Sequence, residues 1–461
     1  MKKLVVVPVF ALAAVLSAHA DAALPVVSAV TMQQISSKNV TISYSLTDAP
    51  AVITLDIQTN AAENVWASIG GEHIASFSAA SAVWKVVQPG VHTIRWNPSA
   101  DWPDHAVADG GCRAVVTAWS LDNTPDYMVV DLTSGATQNS QRYYPSADFL
   151  PGGLLGRDEY RTSLLVMRKI VAKDVTWTMG STSHSTYSTY REKSHQVTLT
   201  NNYYIGVFPI TQSQYYLITG FNNSFFYGGN RQMRPVEEIC YNELRCCGNS
   251  SEWVGGNWPD DPYPDSFLGK LRARTGIDFD LPSDAQWEYA CRAGHGEGHY
   301  GDGSLMPSAT GDWRGDWIET LDPLGRYRRN GGNVGGSSAS EGSPPDGDCT
   351  EANGTPVVGS YKPNDWGLYD MLGGVFEWCL DWYEDDITAL GGRVNINPGN
   401  PSQTLSGANG NNQRVCRGGS YGKPGCECCP SYRGSYDANC NRWAGYANQW
   451  GVRVACTAGL K

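Results

Sequence analysis

Charged residues are scarce in this chain of 461 residues. Asp, Glu, Lys and Arg make up 17% of it, against about 25% in an average soluble protein. Acidic residues outnumber basic ones by 46 to 34, so the net charge at pH 7 is −12. A nucleic-acid-binding protein needs a basic surface that neutralises phosphates. We therefore expect no binding to nucleic acid.

The phosphate-binding loop of a common enzyme class is also missing. The pattern G-x-x-x-x-G-K-[ST] does not occur in the chain, so nothing indicates a nucleotide-binding enzyme of that type. After residue 20, no apolar run approaches the ~20 residues that a membrane-spanning helix needs. We therefore expect no transmembrane segment in the mature chain.

The first twenty residues have the pattern of a secretory signal peptide. Lys2 and Lys3 precede an apolar run from Leu4 to Leu16, and Ala18-His19-Ala20 follows as an A-x-A cleavage site. We expect residues 1–20 to be removed and the protein to be exported to the periplasm or the extracellular space.

Glycine, aromatic residues and cysteine are plentiful. The 51 glycines, 16 tryptophans and 24 tyrosines predict a core of aromatic side chains held by turns. Of the 13 cysteines, Cys112 is alone in the N-terminal part, and the other twelve lie beyond residue 239. An even number in an exported chain favours disulfides, whose connectivity the sequence leaves open.

The N-terminal region has the pattern of a small all-β domain. Val40–Leu46 and Ala51–Ile57 alternate apolar and polar residues, as strands with one buried face do. We expect an immunoglobulin- or fibronectin-like sandwich over 25–134 and a linker over 135–157. This domain would serve as a spacer or adhesion module, or simply pack on the rest of the chain.

Two helices are predicted further along. Asp265 is the expected cap of a helix that ends at Gly276. Ser283 and Gln286 form a capping box that begins a second helix, which stops at Gly294.

The C-terminal region contains a series of motifs in a fixed order. The main ones are Leu281–Gly294 (LPSDAQWEYACRAG), Pro363–Tyr383 (PNDWGLYDMLGGVFEWCLDWY), Arg414–Tyr421 (RVCRGGSY), Ser431–Arg433 (SYR) and Trp450–Ala455 (WGVRVA). Together they resemble the formylglycine-generating enzyme family, also called sulfatase-modifying factors.

The resemblance covers residues 158–457 and implies both a fold and an activity. The implied fold is α+β, related to C-type lectins, with sparse regular structure and much of the chain in ordered loops. The implied activity is a copper- and O2-dependent oxidation that converts a cysteine of a sulfatase into formylglycine, within a Cys-x-Pro-x-Arg motif.

The resemblance also implies a calcium site. Asp370, Gly373, Val375 and Glu377 match the family's ligand positions, while Gly374 replaces an Asn and so lacks its side-chain oxygen. A calcium ion needs six to eight oxygens from carboxylates and carbonyls held by tight turns. The alternative is that the two carboxylates only hydrogen-bond the amides of the loop.

The copper site is matched in part. Counted forward from the RGGS motif, the family's two copper-binding cysteines correspond to Lys423 and Cys428; counted backward from the SYR triplet, they correspond to Ser420 and Gly425. Ser420 also matches an active-site serine of the family. Phe376 stands where the family has an active-site tryptophan.

Two further features leave alternatives open. The cysteine cluster at 426–429 is expected to form disulfides, with a copper or redox role as the alternative. The stretch from His295 to His299 (HGEGH) could present two imidazoles and a carboxylate to a metal, although a Gly-rich surface loop explains it more simply.

These observations support two main functions. The first is the exported oxidase, with a sulfatase or another exported polypeptide as its partner. The second is a non-catalytic, calcium-stabilised, lectin-like module that binds a peptide or a glycan at the cell envelope. A structural envelope protein is a third alternative.

The predicted signal peptide has a direct test. We expect the mature chain to begin at Asp21, because cleavage follows the A-x-A site. Intact-mass analysis of protein from the extracytoplasmic fraction measures this. Recovery of the full-length chain from the cytosol would contradict it.

Overall fold

The structure is a computed structural model that describes ten stretches of the chain. These are residues 24–62, 65–105, 111–133, 140–182, 192–246, 260–307, 318–332, 354–383, 413–438 and 447–459. The predicted signal peptide and three cysteines, Cys247, Cys349 and Cys440, lie outside these residues.

Strands predominate over helices in the described stretches. The strands are β1 (Val26–Ser36), β2 (Asn39–Thr47), β3 (Ala51–Ala62), β4 (Val65–Ser68), β5 (Val86–Val87), β6 (Gly90–Trp96), β7 (Cys112–Ser120), β8 (Tyr127–Asp131), β9 (Gln141–Tyr144), β10 (Leu164–Ile170), β11 (Val175–Met179), β12 (His195–Leu199), β13 (Tyr203–Gly206), β14 (Phe376–Trp382), β15 (Gln413–Arg417), β16 (Gly434–Asp437), β17 (Trp450–Gly451) and β18 (Ala455–Thr457). The α-helices are α1 (Pro98–Asp101), α2 (Glu159–Thr162), α3 (Gln212–Thr219), α4 (Tyr241–Arg245), α5 (Phe267–Thr275) and α6 (Asp284–Arg292). No helix in these stretches is long and apolar enough to cross a membrane.

The N-terminal region forms two small antiparallel sheets. One has the order β1-β2-β6, and in the other β3 pairs with β4, β5 and β7. The burial pattern of β2 explains why these strands form sheets with one face on a core. Val40, Ile42, Tyr44 and Leu46 are buried, while the residues between them are partly exposed. Apolar residues of β2 and β3 share one core. This packing agrees with the predicted sandwich, whose immunoglobulin- or fibronectin-like character stays a prediction.

One sheet includes strands from both sides of the predicted boundary between the two regions. A five-stranded sheet has the order β18-β13-β10-β8-β9. Strand β8, within the predicted sandwich (25–134), therefore pairs with β10 of the C-terminal region, and β9, within the predicted linker (135–157), pairs with β8 at the edge of the same sheet. The reason is that Tyr127–Asp131 is a buried apolar strand that needs a partner on each side. It finds them in β9 and in β10, where Val129 faces Val166.

The C-terminal region combines short capped helices with a second sheet. Helix α6 has the predicted capping box of Ser283 and Gln286, and its cap at the C-terminal end is Ala293 in the left-handed conformation. Helix α5 is capped by Ser266 and not by Asp265, because the Ser266 hydroxyl accepts the Gly269 N–H. The sheet has the order β16-β15-β14-β17 and carries the signature motifs.

Candidate functional site

A buried ion pair joins the second signature motif, Pro363–Tyr383, to the last, Trp450–Ala455. Strands β14 and β17 are parallel, with Glu377 opposite Gly451, and this register brings Arg453 against Glu377. The Arg453 Nη2 lies 2.8 Å from Glu377 Oε1, and Nε lies 2.9 Å from Oε2. Trp287 of α6 donates its indole N–H to the same Oε2 at 2.6 Å. All three side chains are almost fully buried.

The remaining donors of Arg453 bind backbone carbonyls of other segments. Nη1 donates to Gly206 at 2.8 Å and to Val207 at 3.0 Å, and Nη2 donates to Tyr369 at 2.8 Å. One guanidinium therefore connects β13, the loop before β14 and β14 itself. Removing one partner of such a buried, fully bonded pair costs about 3–5 kcal/mol.

A second buried network joins α6 to the RGGS and SYR motifs. The Asp284 carboxylate binds Arg417 through one oxygen and Arg433 through the other, at 2.7 Å for Arg433. Glu288, one turn later, bonds Arg417 at 2.9 Å and Arg292 at 2.7 Å. Burial opposes ionisation of Asp284, but the two guanidinium groups hold its pKa below the usual value. These charged motif residues thus neutralise one another inside the domain.

The predicted calcium residues lie beside the first network. Asp370 has φ 54° and accepts the Gly359 N–H through Oδ2 at 2.7 Å. Gly373 has φ 72°, and a Cβ there would clash with the Arg326 carbonyl, so the turn requires glycine. The Arg453 Nη2 reaches the Asp370 carbonyl at 3.3 Å as well as Glu377. The fold therefore brings Asp370 and Glu377 together around one guanidinium.

Asp370 is the residue of this set that fits a cation best. Its Oδ1 is buried and has no hydrogen-bond partner among the described residues. Both oxygens of Glu377 already accept hydrogen bonds, and Val375 is buried. This one orphaned carboxylate oxygen, next to a tight glycine turn, would be one of the six to eight oxygens that a calcium ion needs. No cluster of three or more His, Cys, Asp or Glu side chains suited to a metal occurs in the described part of the chain.

Burial has a measurable effect on Asp370. Loss of solvation raises its pKa to about 6, and the nearby Glu377 charge adds to this, whereas the Gly359 N–H and Arg453 oppose it. The buried carboxylate is therefore costly in its ionised form when no cation is bound.

The cysteine cluster differs from the disulfide expectation. Six buried cysteines of the described residues are free thiols: Cys291, Cys379, Cys416, Cys428, Cys429 and Cys456. Burial raises the pKa of Cys428 well above its usual value. These thiols act as small apolar core residues.

The candidate copper positions do not bring two thiols together. Lys423 carries an ammonium 3.8 Å from Glu427. Ser420 is fully buried and donates its hydroxyl to Gln449 at 2.6 Å. Gly425 begins a 3-10 turn and has no side chain that could bind copper. Neither way of counting therefore gives two thiols at the copper positions.

Phe376 and the HGEGH stretch have structural partners. Phe376 stacks on Trp450 with ring centroids 5.7 Å apart. His295 Nε2 lies 2.7 Å from Asp365, while Glu297 accepts the Ser181 hydroxyl at 2.8 Å. The imidazole and carboxylate thus serve separate loop contacts, which agrees with the Gly-rich loop interpretation.

Several residues of this region have roles that the sequence patterns do not assign. Arg453 and Trp287 lie within the quoted motifs, but only the fold shows that both bind Glu377. Gln449 lies just before the last motif and would have been hard to recognise, because its contact with Ser420 depends on β17 returning beside β14.

Comparison with known proteins gives a consistent family assignment for this region. The sequence profile of the Sulfatase-modifying factor enzyme 1-like domain matches residues 166–458. The chaperone protein LppX of Paenibacillus barcinonensis is 27% identical over 311 residues, which are 62% of this chain and 89% of that protein.

Two formylglycine-generating enzymes are similar over shorter lengths. That of Thermomonospora curvata is 30% identical over 181 residues, 38% of this chain and 48% of the enzyme. That of Streptomyces coelicolor is 32% identical over 165 residues, 35% of this chain and 38% of the enzyme. The chain thus spans less than half of either enzyme.

Among solved structures, Treponema denticola variable protein 1 is 25% identical, with a TM-score of 0.43, over 64% of this chain and 95% of that protein. PvdO from Pseudomonas aeruginosa is 19% identical, with a TM-score of 0.40, over 63% of this chain and 94% of that protein.

The buried Asp370 predicts a pH dependence of stability. Its folded pKa of about 6 exceeds the unfolded value of about 3.9, so its proton stabilises the fold fully below pH ~4, and this stabilisation is lost as the pH rises through ~6. Without calcium, the wild type should lose roughly 2–3 kcal/mol of unfolding free energy over this range. Asp370→Asn should not show this loss. Asn tolerates the left-handed backbone. Denaturation curves of wild type and Asp370→Asn at each pH measure this. A difference between their free energies of unfolding that does not change with pH would contradict the prediction.

Proposed function

The chain belongs to the sulfatase-modifying factor family, and on that premise we propose that it is a non-catalytic member that binds a polypeptide. The family assignment follows from the profile match over 166–458. Neither the activity nor the partner follows from it, because relatives with different names share this domain.

The observation that carries the proposal is the chemistry at the two copper positions. An ammonium such as that of Lys423 has no lone pair with which to bind Cu(I). The other position, Cys428, has a buried thiol whose pKa is raised, so it is protonated at neutral pH. Metal binding requires the thiolate. Soft Cu(I) needs two thiolates, whereas these two positions provide a single thiol, whose ionisation burial opposes.

A polypeptide is a better candidate partner than a glycan. The chaperone LppX is matched over 89% of its own length, and a chaperone acts on other proteins. The signal-peptide pattern supports an encounter in the periplasm or outside the cell. A sulfatase is one such exported polypeptide, but nothing in the site selects it.

The oxidase remains the second candidate function. It is favoured by Ser420 and Cys428 at positions that match the family's active site. If copper were bound, it would supply O2 activation, and Cys428 would have to lose its proton in a fully buried environment.

Calcium is part of the proposal. Asp370, Gly373, Val375 and Glu377 would hold it, and the ion would neutralise the carboxylate that burial makes costly. Calcium at ~100 times its dissociation constant should then stabilise the folded chain by roughly 2.7 kcal/mol.

Thermal unfolding with calcium and with a chelator measures this effect. Asp370→Gly is the informative variant, because glycine accepts the positive φ and removes the carboxylate. Calcium should raise the Tm of wild type and leave that of Asp370→Gly unchanged, with magnesium as the control ion. A wild-type Tm that is equal in calcium and in chelator would overturn the calcium site.

The absence of oxidase activity can be tested directly. Wild-type protein supplied with Cu(I) and O2 should form no aldehyde on a Cys-x-Pro-x-Arg peptide, because the second thiolate is missing. The enzyme of Streptomyces coelicolor is the positive control. Mass spectrometry of the peptide is the readout.

Cys428→Ala separates the two candidate functions. Aldehyde formation and copper binding by this variant should equal the background levels of wild type. The substitution leaves no disulfide partner unpaired, because Cys428 is a free thiol. Aldehyde formation by wild type that disappears in Cys428→Ala would establish the oxidase instead.

A further inference from the structure

Exposed aromatic side chains are confined to one short part of the described structure. Tyr216, Phe221 and Tyr227 are 56%, 43% and 49% exposed, while the other phenylalanine, tyrosine and tryptophan side chains in the described ranges are buried or half-buried. Tyr216 lies on α3, and the other two lie in the loop that follows it. We call these three residues the aromatic surface. Single exposed apolar residues are ordinary, whereas rings that gather at one place are typical of an interaction site.

The loop after α3 folds back along the helix. At the C-terminal end of α3, Phe221 packs edge-on against Tyr215, with ring centroids 6.0 Å apart. At the N-terminal end, the Gln212 side chain donates to the Phe226 carbonyl at 2.8 Å. An eight-residue helix is about 12 Å long, so the aromatic surface spans about one helix length.

Buried side chains fix the shape of this loop. Glu237 is 1% exposed, and its carboxylate accepts the N–H groups of Phe225 and Phe226, each at 3.0 Å. Burial raises the pKa of Glu237 well above its usual range, and these two N–H groups oppose the shift. Phe226 also packs edge-on against Tyr421 of the motif Arg414–Tyr421, with ring centroids 5.1 Å apart. A loop held in this way loses little conformational entropy when it binds a partner.

The aromatic surface carries no charge. Residues 196–230 contain no Asp, Glu, Lys or Arg, although the chain's average of 17% would give about six in a stretch of this length. The exposed residues around the rings include Asn223 and Asn230. Protein-binding loops of antibodies also combine Tyr with Asn, because Tyr gives a large rigid contact and Asn gives adaptable hydrogen bonds. A charged group placed against the rings would lose its water without gaining an ion pair, so the aromatic surface selects an uncharged ligand.

We propose that Tyr216, Phe221 and Tyr227 bind an uncharged segment of the polypeptide partner that contains large apolar side chains. This inference rests on the proposed function and names the part of the ligand that the aromatic surface takes. Apolar side chains gain free energy when they leave water against the rings, and aromatic residues supply much of the binding energy of protein interfaces. Through the contact of Phe226 with Tyr421, the loop is anchored to the motif that matches the family's active site.

The test compares labelled peptides that differ only in the residues offered to the rings. A fluorescein-labelled Gly-Ser peptide with several Phe residues is titrated with the mature protein by fluorescence anisotropy, alongside peptides with Ser, Glu or Lys in place of Phe. The Phe peptide should bind most tightly, and its affinity should not fall as sodium chloride is raised, because no ion pair is screened. Tightest binding of the Glu or Lys peptide, equal binding of all four, or an affinity for the Phe peptide that falls with salt would overturn the proposal.

Matched variants locate the binding. Tyr216→Ala/Tyr227→Ala should weaken binding of the Phe peptide about tenfold, whereas Tyr216→Phe/Tyr227→Phe keeps the rings and should retain it. Val91→Ala/Leu305→Ala is the control, since it removes exposed apolar side chains elsewhere. All these side chains are exposed, so the variants should keep the Tm of wild type.

Three results with these variants would overturn the proposal. Equal losses in the two Ala variants would show a general effect of apolar surface. No loss in either would show that the peptide binds elsewhere. Equal losses in the Ala and the Phe variants of the two tyrosines would show that the hydroxyls, and not the rings, make the contact.

An unfolded protein separates this inference from the proposed function. Reduced, carboxymethylated α-lactalbumin should bind wild type and bind Tyr216→Ala/Tyr227→Ala more weakly. If it binds both equally, polypeptide binding stands and the aromatic surface is wrong. If neither it nor any peptide binds, the proposed function fails as well.

Two other occupants of the aromatic surface are recognised by their own signals. Displacement of the Phe peptide by maltohexaose would make the surface a glycan site. A wild-type dimer on size-exclusion chromatography that Tyr216→Ala/Tyr227→Ala loses would make a second copy of the chain the occupant. Either result would overturn the proposal.

Discussion

The fold of the C-terminal region depends on the buried ion pair between Glu377 and Arg453. A carboxylate and a guanidinium are both removed from water here, and such burial is tolerated only when every donor and acceptor is satisfied. Trp287 and the carbonyls of Gly206, Val207 and Tyr369 provide those partners. The parallel pairing of β14 with β17, the docking of α6 and the path of the loop before β14 must therefore all be correct together.

The same logic applies to the network of Asp284, Glu288, Arg417 and Arg433. Its members come from motifs that are far apart in the chain, yet they neutralise one another inside the domain. In this chain, these charged residues of the signature motifs therefore serve to hold the scaffold together. Membership of the family therefore establishes the scaffold, and the activity has to be argued from the residues that the scaffold leaves for binding.

Those remaining residues are the basis of the proposal that the chain binds a partner and does not oxidise it. Cys428 is a protonated thiol in the core, Ser420 is bonded to Gln449, and Lys423 occupies the other copper position.

Much of the architecture could be predicted from the sequence, because local patterns determine local structure. The alternation in β2, the capping box of α6 and the ordered series of motifs identified the strands, the helix and the family. Contacts between distant segments were not predictable in this way. The pairing of β8 with β10, the free state of Cys428 and the orphaned oxygen of Asp370 depend on which segments become neighbours. Burial and hydrogen bonding then set their chemistry, and the tertiary structure alone decides both.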